Sequence, residues 1–238
     1  MTMTLLERAF EELRIPYDGV IMDRFQKYMQ GILTWNEKIN LTAITEEEEF
    51  IKKHYMDSVA CYGFPEIQKA ERLIDVGTGG GFPGVPLAIL FPQKQFVLMD
   101  SLKKRLNIID DLTSDLGITN VTTLHGRAED LGQSKEHREQ YDICISRAVA
   151  NLATLSEYCL PFVKPEGAFL AYKGVKAEEE VREGKKAIAL LGGQISREES
   201  IPFSNYDMDH LIIVINKVQK TPAKYPRKAG TPSKEPLK

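Results

Sequence analysis

The sequence contains few cysteines, one tryptophan and no long apolar run. Its 238 residues include three cysteines, Cys61, Cys144 and Cys159, which lie far apart and form no C-x-x-C pair. An odd number of scattered cysteines excludes a disulfide framework and predicts reduced thiols in a reducing compartment. No apolar run reaches the roughly 20 residues that a membrane-spanning helix needs. We therefore expect a cytoplasmic protein with no membrane partner.

Metal-ligand spacing and targeting signals are also missing. The four histidines show no ligand spacing with one another or with cysteine, which predicts that the protein uses no metal. The N-terminal stretch M-T-M-T-L-L-E-R-A-F-E-E-L-R is amphipathic and contains acids, unlike a signal or transit peptide. Hydrophobic residues make up 42% of the chain and charged residues 27%, the balance of an ordinary globular domain. A monomer is the default expectation.

The sequence has little net charge, but that charge is unevenly distributed. The net value of −3 argues against a basic coat for nucleic acid. Between Lys217 and Lys238, however, there are seven lysines or arginines and one acid, so this end carries about +6 and the remainder about −9. Such a tail suits a phosphate backbone. A disordered, solubilising tail would have the same composition, and both interpretations stay open here.

Helical and strand patterns divide the chain. Apolar residues recur at helical spacing over residues 2–62, with a helix predicted at about 18–38 and a third helix started by a capping box of Thr45 and Glu48. From Arg72 onward, short apolar strands alternate with helices, and the last two strands have no helix between them. This order predicts a mostly parallel sheet with helices on both faces and one antiparallel strand.

The strongest local signal is the segment D-V-G-T-G-G-G, which follows the first predicted strand. Here the chain must turn sharply, let a ligand approach its backbone and start a helix whose N–H groups face that ligand. A dinucleotide site needs G-x-G-x-x-G; Gly77 and Gly79 fit this pattern, but Phe82 takes the third place. A methyltransferase site needs an acid followed by G-x-G-x-G, and the whole segment from Asp75 to Gly81 fits it.

Two residues near this segment are candidate cofactor contacts. Asp100 ends the second predicted strand, where both kinds of fold place an acid that holds ribose hydroxyls. Its alternative role is to cap the following helix together with Ser101. Phe82 is bulky and adjoins the glycines, so it either packs on the cofactor or seals the helix onto the core.

The segment H-G-R-A-E-D follows the third predicted strand, a position that contacts adenine in methyltransferases of this topology. Ala128 would offer backbone groups, and the carboxylate of Glu129 or Asp130 would accept a hydrogen bond from the exocyclic amine. A solvated turn with acids near a helix start is the alternative.

The fourth predicted strand ends in I-S-R-A-V, where the fold presents the reactive methyl group. The Asn/Asp-Pro-Pro turn typical of amine methylation is absent, and Cys144, the residue that a pyrimidine-carbon mechanism would need, lies inside the strand. Arg147 remains as a positioning residue. A methionine carboxylate or an RNA phosphate suits it better than a sulfonium cation.

These motifs together resemble one family. W-N-E-K-I-N-L-T-A-I from Trp35, I-D-V-G-T-G-G-G-F-P-G, D-S-L-K-K-R, H-G-R-A-E, S-R-A-V-A-N-L, A-Y-K-G and the tail Y-P-R-K-A-G-T-P-S-K-x-P-L follow one another in the order found in the glucose-inhibited division protein B family of ribosomal RNA small-subunit methyltransferases. The glycine motif alone is generic, whereas F-P-G, S-R-A-V-A and the Y-P-R tail are specific. The resemblance runs from Trp35 to the C-terminus.

The resemblance implies a class I S-adenosylmethionine-dependent methyltransferase fold, Rossmann-like, with a seven-stranded sheet. We expect a helical cap over 1–66, the methyltransferase domain over 67–220 and the basic tail over 221–238. The implied reaction moves a methyl group from S-adenosylmethionine to guanine N7 of 16S ribosomal RNA near the decoding centre, on free RNA or on the small ribosomal subunit.

The resemblance also assigns the cofactor contacts. Carried over residue by residue, they are Gly77, Phe82, Ala128, Glu129 and Arg147. To these the motif analysis adds Asp75, Gly79 and Asp100. No catalytic residue is expected, because N7 attack works by proximity.

Three other functions stay open. The first is a methyltransferase acting on protein or a small molecule, the second an NAD-dependent dehydrogenase, and the third a non-enzymatic ribosome-assembly factor that retains a cofactor fold.

Overall fold

One seven-stranded sheet organises the computed structural model, which describes residues 3–147, 150–174, 177–203, 206 and 210–238. The strands are β1 (Arg72–Val76), β2 (Gln95–Asp100), β3 (Val121–His125), β4 (Tyr141–Arg147), β5 (Val163–Lys173), β6 (Gly193–Ser200) and β7 (Leu211–Lys217). They lie in the order β3-β2-β1-β4-β5-β7-β6, and β7 runs antiparallel to both of its neighbours. The prediction of a mostly parallel sheet with one antiparallel strand is confirmed.

Helices cover both faces of this sheet. They are α1 (Met3–Glu12), α2 (Gly19–Asn36), α3 (Glu47–Phe50), α4 (Asp57–Val59), α5 (Pro65–Lys69), α6 (Gly84–Leu90), α7 (Lys103–Asp115), α8 (Ala128–Leu131), α9 (Leu152–Cys159), α10 (Ala177–Leu190) and α11 (Thr231–Lys234). A π-helix over Ile51–Met56 joins α3 to α4. The chain order of the strands reverses between β1 and β4, so a crevice opens at their carboxyl ends.

Some predicted features fall outside the described residues. These are Ala148 and Val149 of the S-R-A-V motif, the first two residues of the cap, and residues 176 and 209 at the outer ends of a predicted helix and a predicted strand.

The N-terminal helices share a core with the sheet. Asp18 caps α2 by accepting a hydrogen bond from the backbone N–H of Ile21 at 2.8 Å. One face of α2 is buried, and from it the Tyr28 hydroxyl donates to the Gly80 carbonyl oxygen at 2.9 Å. The cap thus packs directly on the glycine loop. The division we expected near residue 66 marks a change of secondary structure and not a gap in the core.

The predicted capping box of Thr45 and Glu48 is wrong. Helix α3 begins after Glu46, whose side chain makes no capping hydrogen bond, so Thr45 lies one residue too early to cap it. Three glutamates in the first turn of α3 interact favourably with the helix dipole instead.

The basic end is packed against the body, contrary to a disordered tail. The Arg138 guanidinium donates to the carbonyl oxygens of Thr221 and Tyr225, each at 2.7 Å. Lys217 is only 1% exposed, and its ammonium donates to the Leu160 and Val163 carbonyl oxygens. Burial lowers the pKa of Lys217 to about 8, and this residue belongs to the core and not to a cationic surface.

Candidate active site

A cleft of about 590 Å³ lies at the carboxyl ends of β1, β2 and β4. Five of the predicted cofactor residues line it: Gly77, Asp100, Ala128, Glu129 and Arg147. The other three do not line it: Gly79 belongs to the glycine loop, Asp75 lies beneath the loop, and Phe82 directly follows it. The structure therefore brings most of the predicted site together and gives the remaining residues supporting positions.

The glycine loop needs glycine for two different reasons. Gly77, Gly79 and Gly81 have φ angles of 76°, 60° and 87°, a region that other residues rarely adopt. At Gly81 a Cβ would also lie 2.2 Å from the Tyr28 hydroxyl, so the packing of α2 excludes any side chain. At Gly79 the space beside the backbone is open, and only the φ angle demands glycine.

Asp75 holds the loop from below. Its Oδ2 accepts hydrogen bonds from the Thr78 hydroxyl at 2.7 Å and from the Gly84 N–H at 2.9 Å. Its Oδ1 is buried and has no hydrogen-bond partner within the described residues. Burial raises the pKa of Asp75 to about 6. Either a proton or a donor that enters with a ligand would satisfy this oxygen.

Asp100 joins the cleft to the loop. Its Oδ2 accepts from the Gly79 N–H at 3.0 Å, and its Oδ1 accepts from the Leu102 N–H at 2.8 Å. Helix α7 begins at Lys103 and receives no side-chain cap, so Asp100 shapes the turn before the helix and does not cap it. Asp100 lines the wall of the cleft, and its contact with a ribose stays a prediction.

Glu129 meets the C-terminal segment. It lies in the first turn of α8, next to Ala128, and its Oε1 accepts a hydrogen bond from the Gly230 N–H at 2.8 Å. Gly230 itself lines the cleft. No sequence pattern predicted this contact, which joins residues separated by about a hundred positions.

Phe82 packs in the core of the cap and not on the wall of the cleft. Its ring stacks on that of His54, with centroids 4.5 Å apart and planes 9° apart, and it is 4% exposed. Of the two roles considered from the sequence, this position favours sealing the helix onto the core.

Arg147 ends β4 and is held on several sides. Its Nη1 donates to the Lys53 carbonyl oxygen at 2.7 Å and to Asp57 Oδ2 at 2.8 Å, while its Nη2 lies 2.9 Å from His54 Nδ1. These acceptors come from the π-helix and the first residue of α4. A π-helix frees carbonyl groups from their usual pairing and often occurs at functional sites. In this protein the Lys53 carbonyl oxygen of the π-helix accepts a hydrogen bond from Arg147.

His54 is a neutral histidine with a defined tautomer. Burial and the Arg147 charge lower its pKa to about 3. Its Nδ1 therefore accepts from Arg147, and its Nε2–H donates to the Thr42 hydroxyl at 2.7 Å. For Asp57, burial alone would raise the pKa, but hydrogen bonds with His210 and Arg147 outweigh burial and hold it below the usual value.

A second cleft of about 500 Å³ adjoins the first, and Arg147 belongs to both. Besides Arg147, its polar lining comprises Lys53, His54, Asp57, Lys173, Glu180 and His210. Sequence reasoning missed these residues. The available signal was a histidine and an aspartate within the apolar helical segment I-K-K-H-Y-M-D-S-V, where buried polar groups need a partner.

The first cleft fits an adenosyl cofactor. Its volume lies in the range of about 300–1,000 Å³ typical of ligand sites. Acids after β2 and β3 and open space beside Gly79 match what a ribose, an adenine and a close backbone approach require. Within the described ranges, no three His, Cys, Asp or Glu side chains are grouped to hold a metal ion, and no helix is both long and apolar enough to cross a membrane.

Comparisons with known proteins agree with this geometry. The family model GidB, described as rRNA small subunit methyltransferase G, matches residues 21–211. A ribosomal RNA small subunit methyltransferase G of Clostridium novyi is 46% identical over 98% of this chain and 96% of its own length. That of Clostridium tetani is 47% identical over 98% of each chain.

A solved structure shares the fold. An O-methyltransferase from Bacillus cereus, crystallised with SAH, superposes with a TM-score of 0.58 at 17% identity, covering 91% of this chain and all of its own. At this level of identity the likeness concerns the fold alone.

Proposed function

The chain belongs to the GidB family of ribosomal RNA small subunit methyltransferases G, and from this premise we propose that it transfers the methyl group of S-adenosylmethionine to N7 of a guanine in 16S ribosomal RNA near the decoding centre. One observation carries the proposal beyond the family match. Two clefts share Arg147 as a lining residue, so a methyl donor in one and a nucleobase in the other would lie next to each other.

The first cleft would hold the cofactor. When bound, S-adenosylmethionine supplies an electrophilic methyl group on a sulfonium cation. Asp100 would accept hydrogen bonds from ribose hydroxyls, the Ala128 backbone would border the adenine, and the free oxygen of Glu129 would accept from its exocyclic amine. Gly77 and Gly79 would let the backbone approach the ligand closely, while Asp75 and Phe82 keep the loop in place.

The second cleft would receive the target guanine. A loop guanine must leave its stack to reach such a recess. Arg147 stands between the two clefts with its guanidinium fixed by Lys53, His54 and Asp57. From there its charge would attract the methionine carboxylate of the cofactor or an RNA phosphate, as proposed from the sequence.

The expected partner is 16S ribosomal RNA, free or within the small ribosomal subunit. We expect the protein to act in the cytoplasm as a monomer without a metal. The basic C-terminal end and the cap border the clefts and would form the RNA-facing rim.

Mass mapping of 16S ribosomal RNA tests the function. RNA from a deletion strain should lack one methyl group on one guanosine, and the wild-type gene should restore it. An unchanged methylation map would favour a non-enzymatic assembly factor. Titration with S-adenosylhomocysteine and with NADH separates the methyltransferase from a dehydrogenase. RNA binding that does not weaken with salt would favour a protein or small-molecule substrate.

A further inference from the structure

The C-terminal strap, residues 221–238, is fixed to the body by its main chain. The side chains of Arg138 and Gln133 donate to five carbonyl oxygens in the stretch from Thr221 to Pro226, at 2.7–3.2 Å. Further along, the Thr154 hydroxyl donates to the Pro232 carbonyl oxygen at 3.0 Å. The strap therefore follows a defined path over α9 toward the first cleft.

One ion pair holds the strap in the middle of this path. Arg227 donates four hydrogen bonds to Glu157 of α9. Its backbone N–H and Nε lie 2.8 and 2.9 Å from Oε1, and its Nε and Nη2 lie 3.2 and 2.7 Å from Oε2. Glu157 is fully buried, and Arg227 supplies its counter-charge. The next residue, Lys228, is exposed. Of these two adjacent cations, Arg227 therefore pairs with a buried carboxylate, whereas Lys228 faces the solvent.

Three residues after Arg227, the strap becomes part of the cofactor cleft. Gly230 has a φ of 84°, lines the cleft, and donates its N–H to Glu129 Oε1 at 2.8 Å. Glu129 Oε1 is therefore occupied by a hydrogen bond from the main chain of the strap. The other oxygen is left to accept from a ligand in the cleft.

We propose that Arg227 is a positioning residue for cofactor binding: its pairing with Glu157 places Gly230, which orients the Glu129 carboxylate toward the adenine. The inference rests on the proposed function, in which the first cleft binds S-adenosylmethionine. It assigns the Y-P-R part of the tail to cofactor recognition and leaves RNA contact to the exposed lysines of the strap.

Calorimetry with S-adenosylhomocysteine tests this on the full chain, using Arg227→Gln and, as matched control, Lys228→Gln. We expect Arg227→Gln to weaken affinity at least fivefold and Lys228→Gln to change it less than twofold. The pattern for RNA should be reversed. Lys228→Gln would lower the slope of log K against log salt by up to about one unit, whereas Arg227→Gln would leave the slope unchanged.

A second ligand separates positioning from general loss of structure. S-inosylhomocysteine lacks the exocyclic amine, so the wild-type protein should bind it at least tenfold less tightly than S-adenosylhomocysteine. In Arg227→Gln that ratio should fall toward one, because Glu129 is no longer oriented. Mere loosening of the fold would weaken both ligands equally and would overturn the proposal, as would a wild-type protein that does not distinguish them.

The double variant Glu157→Gln/Arg227→Gln guards against unfolding. It removes the uncompensated buried carboxylate, so its melting temperature should exceed that of Arg227→Gln while its weak adenine preference persists. Wild-type affinity and adenine preference in a folded Arg227 variant would contradict the positioning role alone. Failure of the wild-type protein to bind S-adenosylhomocysteine would instead contradict the proposed function.

Discussion

Gly79 is constrained by its backbone and not by its neighbours. Its φ is 60°, and among the described residues no atom lies within 4 Å of the place a Cβ would take. We predict that Gly79→Val weakens S-adenosylmethionine binding at least tenfold while the protein stays folded, because the β-branched side chain disfavours this φ and fills space beside the cleft.

Gly63→Val is the matched control for this experiment, since Gly63 is also open on its Cβ side but has an ordinary φ. Calorimetry on both variants decides the matter. Unchanged cofactor affinity in Gly79→Val would remove the glycine loop from the site.

His54 gives the protein a measurable sensitivity to acid. Its pKa is about 3 in the folded state, and Arg147 and Asp57 are the charged groups that face it. An unfolded histidine titrates near 6.5. As pH falls below that value, the histidine therefore becomes protonated in the unfolded chain but stays neutral in the folded protein. Relative to His54→Gln, the wild-type free energy of unfolding should therefore drop by about 2 kcal/mol between pH 7 and pH 5.

The comparison must be made against the variant, because Asp75 acts in the opposite sense. Its folded pKa of about 6 lies above the unfolded value, so its contribution to stability is full at low pH and is lost as pH rises through 6. Urea unfolding at pH 7, 6 and 5 measures the difference. Parallel pH profiles for wild type and His54→Gln would show that the imidazole is not held neutral.

At the scale of elements, strands were easier to predict than the helices of the cap. The sequence located all seven strands to within a few residues. The inner strands follow apolar runs because a strand buried on both faces needs an almost continuous apolar sequence, whereas the edge strands β3 and β6 are mostly unburied and more polar. The π-helix could not be predicted, since its sequence differs little from that of an α-helix. Lys53 in the π-helix and Asp57 directly after it contact Arg147, about ninety residues away, and such tertiary contacts cannot be read from a local sequence.

The residues of the site also divide into those that the sequence predicted and those that it did not. Gly77, Asp100 and Glu129 could be placed from the sequence because each lies at or shortly after the carboxyl end of a predicted strand and so reaches one edge of the sheet. Gly230 and His210 could not, because no periodicity brings the end of the chain back to the cleft. Only the folded chain shows that the strap supplies part of the wall.

The helical segment formed by α3, the π-helix and α4 is joined to β4 by a buried ion pair between Asp57 of α4 and Arg147, which makes a stability prediction possible. Asp57 is 2% exposed at its side chain and pairs with Arg147, which is 16% exposed. We predict that Asp57→Asn lowers the free energy of unfolding by about 3 kcal/mol, because a mostly buried arginine loses its counter-charge.

Glu49→Gln in the same helical segment serves as control, since Glu49 pairs with Lys52 and Lys53 at the surface and these pairs should contribute little to stability. Urea unfolding compares the two. Equal effects would mean that Asp57 does not hold the π-helix to the sheet.

For the whole molecule, the packed strap changes how RNA binding should be tested. Deleting residues 221–238 would remove Gly230 from the cofactor cleft together with the cations, so a truncated protein should lose affinity for both ligands. Neutralising only the exposed lysines is the cleaner change. These are Lys224, Lys228, Lys234 and Lys238.

We predict that replacing these four lysines with glutamine leaves S-adenosylhomocysteine affinity within twofold of wild type. The slope of log K for RNA against log salt should decrease by up to about four units if each lysine meets a phosphate, and by less if some do not reach. Filter binding between 50 and 300 mM salt measures the slope. An unchanged slope would leave the strap with a structural role only.

The chemistry that the whole molecule must supply depends on the attacking atom, guanine N7. Guanine N7 carries an in-plane lone pair and no hydrogen, so it can attack a methyl sulfonium without losing a proton, and no general base is required. His54, one of the two histidines lining the described clefts, is neutral with both ring nitrogens engaged by Arg147 and Thr42. Holding N7 in line with the sulfur–methyl bond would then provide most of the rate enhancement, an effect that can reach roughly 7–11 kcal/mol.

With both substrates saturating, the single-turnover rate should therefore be nearly constant between about pH 6.5 and 8.5, and His210→Gln should keep that flat profile even if it binds RNA less well. A histidine acting as a base would instead make the rate rise tenfold per pH unit below its pKa. The methylated RNA should be cleaved by borohydride and aniline, the treatment that detects 7-methylguanosine. A rate that rises tenfold per pH unit and flattens in His210→Gln, or a methyl group on an exocyclic amine or a pyrimidine carbon, would replace this proximity mechanism with acid–base or covalent catalysis.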